Sequence, residues 1–293
     1  MGVRGGVGGG RVRTRRLLVL ILALTGTLCG CLHSSPAVEA VGASPYSHIA
    51  RVDGRAVHYL DTAPGQGGPA LLVVPGFLGS TCAVCSLADG LAGCLRVVIV
   101  DLPGFGGSEP PARPVSMPFY LEFLAAFASQ VGLERFTLAG MSMGASICTG
   151  YSVARPEQVE DLILISPFGL RDQGGRAARI RRWEPLLPLA CAVVSRRQVE
   201  RRVRGWAGRD EIVTPELVDS YWRPFSTPQG RRVVAQATRE VVARCTIDEL
   251  LPRVQPRILV LVAKNAPLID AGTQTSFPRL MAYKSLRVFS DSG

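Results

Sequence analysis

Residues 135–150 read Arg-Phe-Thr-Leu-Ala-Gly-Met-Ser-Met-Gly-Ala-Ser-Ile-Cys-Thr-Gly, and their order decides the fold. Phe136 to Ala139 reads as a short buried strand, and an apolar run begins directly beyond Ser142. A strand, a sharp turn with a serine at its apex and then a helix is the setting in which G-x-S-x-G forms a nucleophile elbow. Gly140 and Gly144 have a mechanical purpose there. The serine backbone is strained, and a Cβ on either flanking position would collide with the neighbouring strand or helix. An ordinary glycine-rich strand-to-helix turn is the plainer reading of the same string.

Working outward, Ile49 to Val52 and Ala56 to Leu60 read as two strands about a turn at Asp53-Gly54. Ala70 to Val74 is a wholly apolar strand that ends in Pro75-Gly76-Phe77-Leu78-Gly79-Ser80, and a helix from Thr81 to Gly93 follows, capped by Ser80. Leu95 to Val100 is the next buried strand, ending in Asp101-Leu102-Pro103-Gly104-Phe105-Gly106-Gly107-Ser108. Between Pro118 and Gly132, Tyr120, Leu124, Phe127 and Val131 recur at helical spacing. Beyond the elbow come strands at Leu162–Ile165, Ile258–Val262 and Leu286–Phe289. Residues 171–245 carry helical patterns with no strand between them, which reads as a helical insertion. Strands alternating with helices predict an α/β fold with a mostly parallel central sheet.

The first 30 residues read as a signal peptide: Arg11, Arg13, Arg15 and Arg16 precede an apolar run from Leu17 to Leu28. That run is shorter than the roughly 20 residues needed to span a bilayer. Leu28-Cys29-Gly30-Cys31 resembles a bacterial lipobox, which implies cleavage before Cys31, a lipid on that cysteine and a membrane-anchored envelope protein. An uncleaved N-terminal membrane anchor is the alternative. Residues 33–47 then read as a tether, 48–170 and 246–293 as the two parts of the core, and 171–245 as a cap. The formal charge of +10 includes five arginines and no acids before Cys31, so the rest of the chain is only about +5 (10 minus 5). Between Arg171 and Asp210 there are 11 arginines and four acids. This concentration suits an anionic lipid surface or a solvated helix face. Nucleic acid is a poor partner for it, because no aromatic residues interleave the charges. Cys82, Cys85 and Cys94 lie close enough in sequence for one disulfide among them, with buried free thiols as the other reading. Cys-x-x-Cys without a second pair or a nearby histidine is not a metal site. No cofactor is expected.

Taken together, G-M-S-M-G, P-G-F-L-G-S, D-L-P-G-F-G-G-S and R-P-E-Q-V-E-D-L-I-L-I-S-P-F-G resemble, in that order, motifs of the α/β-hydrolase superfamily over residues 48–293. The resemblance implies a serine hydrolase acting on an ester or related, lipid-like carbonyl compound. Ser142 would be the nucleophile, with the backbone N–H groups of Phe77 and Met143 as oxyanion hole. Leu78 and Met141 are the candidate substrate-lining residues.

The chain departs from the family pattern in three places. Pro75 stands where a loop-organising histidine is usual, and Ala266 stands where the acid belongs, leaving Asp270 or, after an earlier strand, Asp172 as candidates. The histidines are His33, His48 and His58, all before the nucleophile, with His58 expected as a sheet or surface residue. The sequence ends Asp291-Ser292-Gly293, where the family continues with its base histidine and a last helix. The expectation is a C-terminally truncated enzyme of little activity with one sheet face exposed. The competing expectation is a binding or scaffolding lipoprotein on the same fold.

Overall fold

A computed structural model describes residues 44–169, 180–207, 210–244, 246–263 and 285–289. Asp172, Asp270 and Ala266, and the residues around Cys31, lie outside the described residues.

Eight strands form one sheet: β1 Ser47–Val52, β2 Arg55–Asp61, β3 Ala70–Val74, β4 Arg96–Val100, β5 Phe136–Met141, β6 Val159–Ile165, β7 Arg257–Ala263 and β8 Ser285–Phe289. Their spatial order is β1-β2-β4-β3-β5-β6-β7-β8. β1 and β2 pair antiparallel to each other, as do β2 and β4, and from β4 to β8 every pairing is parallel. The central strands are unbroken apolar runs because both of their faces are covered. Leu72, Val74, Val98, Leu138, Leu162 and Val260 face one core layer, while Leu71, Val73, Val97, Ala139, Ile163 and Leu259 face the other. An exposed sheet face is therefore not found on β5 to β7: Ile163, Leu259 and Leu261 are all at most 2% exposed.

The helices are α1 Ser86–Leu91, α2 Met117–Gln130, α3 Met143–Ala154, α4 Leu187–Ala192, α5 Arg196–Ala207, α6 Pro215–Trp222, α7 Pro228–Ala237 and α8 Ile247–Leu250. Helix α2 starts where Ser116 Oγ accepts from the Phe119 N–H at 3.2 Å, with Pro118 in its first turn. Its buried side carries Tyr120, Phe123, Leu124 and Phe127. Between β6 and β7 the described secondary structure is helical throughout. No helix among the described residues is long and apolar enough to cross a membrane.

Two local expectations need correction. The helix placed at Thr81–Gly93 is a 3-10 turn at Thr81–Ala83 followed by the short α1, and Ser80 does not cap it. The Thr81 N–H donates instead to the Asp101 carboxylate, which lies beyond β4. Nor does a disulfide join Cys82, Cys85 or Cys94, since all three are free thiols. Cys82 is turned toward Ser220 of α6, and burial, reinforced by nearby Cys85, Asp101 and Glu216, pushes its thiol up to about 12. Cys94 sits exposed beyond the other end of α1.

A buried ion pair ties the antiparallel edge to the rest of the sheet. Arg96 on β4 grips Asp61 on β2 with Nε at 3.0 Å and Nη2 at 2.6 Å, and Nη2 also donates to the Val131 carbonyl beyond α2. Both side chains are almost wholly buried, so the two-pronged geometry and the third acceptor are what make the burial tolerable.

Candidate active site

Strand β3 is where the winding of the sheet reverses: the chain leaves it toward β4 on one side and returns as β5 on the other. In open α/β sheets the crevice beyond the carboxyl ends of two such strands is the usual ligand site. Here those ends are Val74, followed by Pro75-Gly76-Phe77, and Met141, followed by Ser142. Val74 pairs with Gly140, so the two loops emerge side by side.

Ser142 has φ 50° and ψ −115°, a conformation that a non-glycine residue rarely adopts. Three hydrogen bonds hold it there. Its N–H donates to the Ile165 carbonyl at 2.9 Å, and its carbonyl accepts from Ala145 at 3.0 Å and Phe168 at 3.3 Å. Strain of this kind costs about 1–3 kcal/mol and persists because the surroundings over-determine it. The glycines permit the close packing. A Cβ at Gly140 would stand 2.5 Å from the Gly144 carbonyl oxygen and 2.6 Å from the Ala145 Cα. One at Gly144 would collide with the carbonyl oxygens of Val74 and Pro75. One at Gly76 would lie 3.2 Å from the Ser142 Cβ, so glycine lets the second loop press against the serine.

Met143 is the first residue of α3, where the helix leaves its leading N–H groups without intrahelical acceptors. Neither the Met143 N–H nor the Phe77 N–H has an acceptor among the described residues. Phe77 is half-buried and stands edge-on to Phe105, with ring centroids 6.0 Å apart. Leu78 takes φ 61° in the turn closed by the Gly79 N–H on the Gly76 carbonyl at 3.0 Å. Its side chain is 7% exposed and packs into the core, which holds this turn in place. Met141 is half-buried at the end of β5 and packs on the opposite face of the sheet.

Behind the Gly76–Ser80 loop lies a buried polar knot that no local sequence pattern announces. The Asp101 carboxylate accepts from the Thr81 N–H at 2.5 Å, the Gly107 N–H at 2.8 Å and His58 Nδ1 at 2.8 Å. Facing a carboxylate, Nδ1 carries the proton. The other ring nitrogen of His58, Nε2, lies 2.9 Å from Ser47 Oγ, so both sides of the imidazole are engaged. Ser108 Oγ donates to the Asp101 carbonyl at 2.7 Å and accepts from the His58 N–H at 3.0 Å. Gly106, at φ 53°, is a glycine because a Cβ there would enter the Asp101 carboxylate. His58 is thus a buried sheet histidine that braces two loops. His48 lies on β1, its ring 5.4 Å from that of Tyr59. Among the described residues no group of three His, Cys, Asp or Glu side chains converges to hold a metal.

The strand order, the strained serine and the loop pressed against it agree with a family model for the alpha/beta hydrolase fold that matches residues 69–293. The chain belongs to the α/β-hydrolase fold family. The dihydrolipoyllysine-residue acetyltransferase component of the acetoin cleaving system of Cupriavidus necator is 31% identical over 254 residues, covering 81% of this chain and 67% of that protein. An (E)-2-((N-methylformamido)methylene)succinate hydrolase of Acinetobacter baylyi is 27% identical over 158 residues, covering 54% of this chain and 57% of that one. Among solved structures, a membrane phospholipase A superposes with a TM-score of 0.68 at 24% identity, covering 95% of this chain and 92% of that chain. At the level of the α/β-hydrolase family, this is a hydrolase-type enzyme.

Proposed function

We propose that Ser142 is the nucleophile of an acyl-transfer reaction that hydrolyses an ester or related carbonyl compound, with the N–H groups of Phe77 and Met143 as the oxyanion hole. The observation that carries this reading is the serine held at φ 50° with Gly76 pressed against it, while the N–H groups of neighbouring Phe77 and Met143 have no acceptor among the described residues. In the first step Ser142 Oγ bonds to the carbonyl carbon and passes its proton to solvent water, and the carbonyl oxygen takes the electron pair of the broken π bond, a negative charge that the two N–H groups would stabilise. The leaving alcohol departs with a proton, and water then releases the acid from the serine. Relatives named for acetyl transfer and for hydrolysis differ in the acceptor of the acyl group, and water is the acceptor proposed here.

The proton on Ser142 is the weak point. No histidine follows Ser142 in the 293 residues, and His58 is engaged on both ring nitrogens. Turnover by this chain should therefore rest on oxyanion stabilisation and binding, about 10³–10⁴-fold over water. Hydrolysis of p-nitrophenyl esters and labelling by a fluorophosphonate probe, each compared with Ser142→Ala, test both parts. The expected result is slow turnover and faint labelling, both abolished by the substitution. Turnover in the usual range of about 1–10³ s⁻¹ would overturn the impairment. Activity that survives Ser142→Ala would overturn the assignment of the nucleophile.

A second reading is a binding lipoprotein on the same fold, supported by the engagement of both His58 ring nitrogens, which leaves that histidine unable to serve Ser142 as a base. Under either reading we propose export and lipid attachment at Cys31, supported by the basic and apolar N-terminal pattern. Expressed in a bacterium, the parent chain should fractionate with membranes, and Cys31→Ser should lose its acylated N-terminal peptide by mass spectrometry. An unmodified Cys31 in the parent chain would count against the anchor.

A further inference from the structure

The segment Trp183–Val193 is apolar on two sides, and only one of them is covered. Its inner side places Leu187, Cys191 and Val194 against the core, with α4 packed on α7. Its outer side carries Trp183, Leu186, Leu189 and Val193, which are 54%, 48%, 63% and 69% exposed. Steps of three, three and four residues set these four along one face. They account for four of the five large hydrophobic residues that the described structure leaves exposed. A contiguous apolar patch of this kind marks an interaction surface.

The charge around the patch says what kind of surface it meets. Residues 181–207 contain seven arginines and two acids. Both acids are already taken: Glu184 lies 3.6 Å from Arg239 and 3.5 Å from Arg244, and Glu200 lies 3.0 Å from Arg204. Arg182, Arg197, Arg201 and Arg202 are exposed and make no ion pair among the described residues. On α5, Arg197 and Arg201 lie opposite the buried Val199 and Val203. Uncompensated cations thus flank the exposed apolar face in sequence on both sides. A second copy of this chain is a poor partner, because a twofold contact would set this cationic border against itself. An anionic bilayer answers both features, with phosphates for the arginines and acyl chains for Trp183, Leu186, Leu189 and Val193.

We infer that the outer face of Trp183–Val193, with its bordering arginines, docks on the surface of a bilayer containing anionic phospholipid. This contact is separate from any lipid on Cys31 and does not require Ser142 to be reactive. It would seat the helical segment between β6 and β7 on the membrane, where an N-terminal tether alone would leave its orientation free.

The test follows Trp183 itself in the full-length chain, with Trp206→Phe and Trp222→Phe leaving it as the single tryptophan. The probes are vesicles of phosphatidylcholine alone, or mixed with phosphatidylglycerol, with and without bromine on the acyl chains. With the mixed vesicles, Trp183 emission should shift to the blue and be quenched by the brominated chains. Leu189→Glu with Val193→Glu should weaken this binding by at least about tenfold, since each side chain buried in lipid contributes more than the roughly 1.4 kcal/mol that tenfold represents. Both positions are exposed, so the fold should tolerate the change, and Arg197→Glu with Arg201→Glu gives an independent pair expected to weaken binding in the same direction. Vesicle binding without quenching of Trp183 would mean that the N-terminal segment alone holds the membrane, and would overturn the proposal. So would a concentration-dependent dimer that buries Trp183 in the absence of vesicles, or equal affinity for the neutral and anionic vesicles.

Discussion

Gly144→Ala should destabilise the protein by about 3 kcal/mol or more, at the upper end of what overpacking costs. The new methyl group would meet the carbonyl oxygens of Val74 and Pro75, which are backbone atoms at the end of β3 and cannot rotate away. Either α3 moves off the sheet or the Pro75–Phe77 loop moves off the serine. The first outcome lowers stability, and the second loosens the contact of Gly76 with Ser142. For a domain of this size such a loss lowers the melting temperature by about 6–12 °C. Gly205→Ala is the matching control. Gly205 lies in α5 with nothing within 4 Å of the added Cβ, so the change should be neutral or raise stability by up to about 1 kcal/mol. Thermal unfolding of the two variants beside the parent decides the matter. Equal melting temperatures for Gly144→Ala and the parent would mean that the close approach of α3 to β3 is not obligatory.

Asp101→Ala should be at least as damaging, by about 3–5 kcal/mol, through a different mechanism. The carboxylate is fully buried and serves Thr81, Gly107 and His58 at once. Removing it leaves two buried N–H groups and an imidazole without an acceptor, and each unsatisfied donor costs about 1–3 kcal/mol. Asp101→Asn keeps the shape but turns one acceptor into a donor facing other donors, so it should recover only part of the loss. The loosening should be greatest in the Gly76–Thr81 loop, which is fastened to the rest of the fold through the Thr81 N–H. Hydrogen exchange of the Thr81 and Gly107 amides should accelerate well before the central strands open. Unchanged exchange at both amides would show that the knot is not what braces the loop.

Much of this framework is legible from residues alone, for identifiable reasons. Strands such as Ala70–Val74 and Phe136–Met141 announce themselves because burial on both faces demands uninterrupted apolar side chains. Where reading fails, a residue distant in sequence has taken over a local task. Ser80 has the composition of a helix cap, yet its Oγ is buried without a partner, and Asp101 fastens the start of this turn by accepting from the Thr81 N–H. The spacing of Cys82, Cys85 and Cys94 suggests a bridge, but Cys82 turns toward Ser220 on a helix more than a hundred residues away. His58 is readable as a sheet histidine, whereas its bond to Asp101 spans 43 positions that no periodicity links. Leu187-Pro188-Leu189-Ala190-Cys191-Ala192 falls within the helical patterns of residues 171–245, but nothing in it distinguishes the side that packs from the side left bare.

The sequence by itself determined that a serine stands at the tip of a strand-to-helix turn, because that geometry is local and its two glycines are three-dimensional requirements written within five residues. It also determined that the histidines of these 293 residues, His33, His48 and His58, all precede Ser142. Only the tertiary structure decided that the loop at Gly76 presses against Ser142, and that both ring nitrogens of His58 are engaged, by Asp101 and by Ser47. The same holds for the bare apolar face of Trp183–Val193. Such pairings depend on which strands become neighbours and in what register, and a local pattern of apolar and polar residues leaves that choice open.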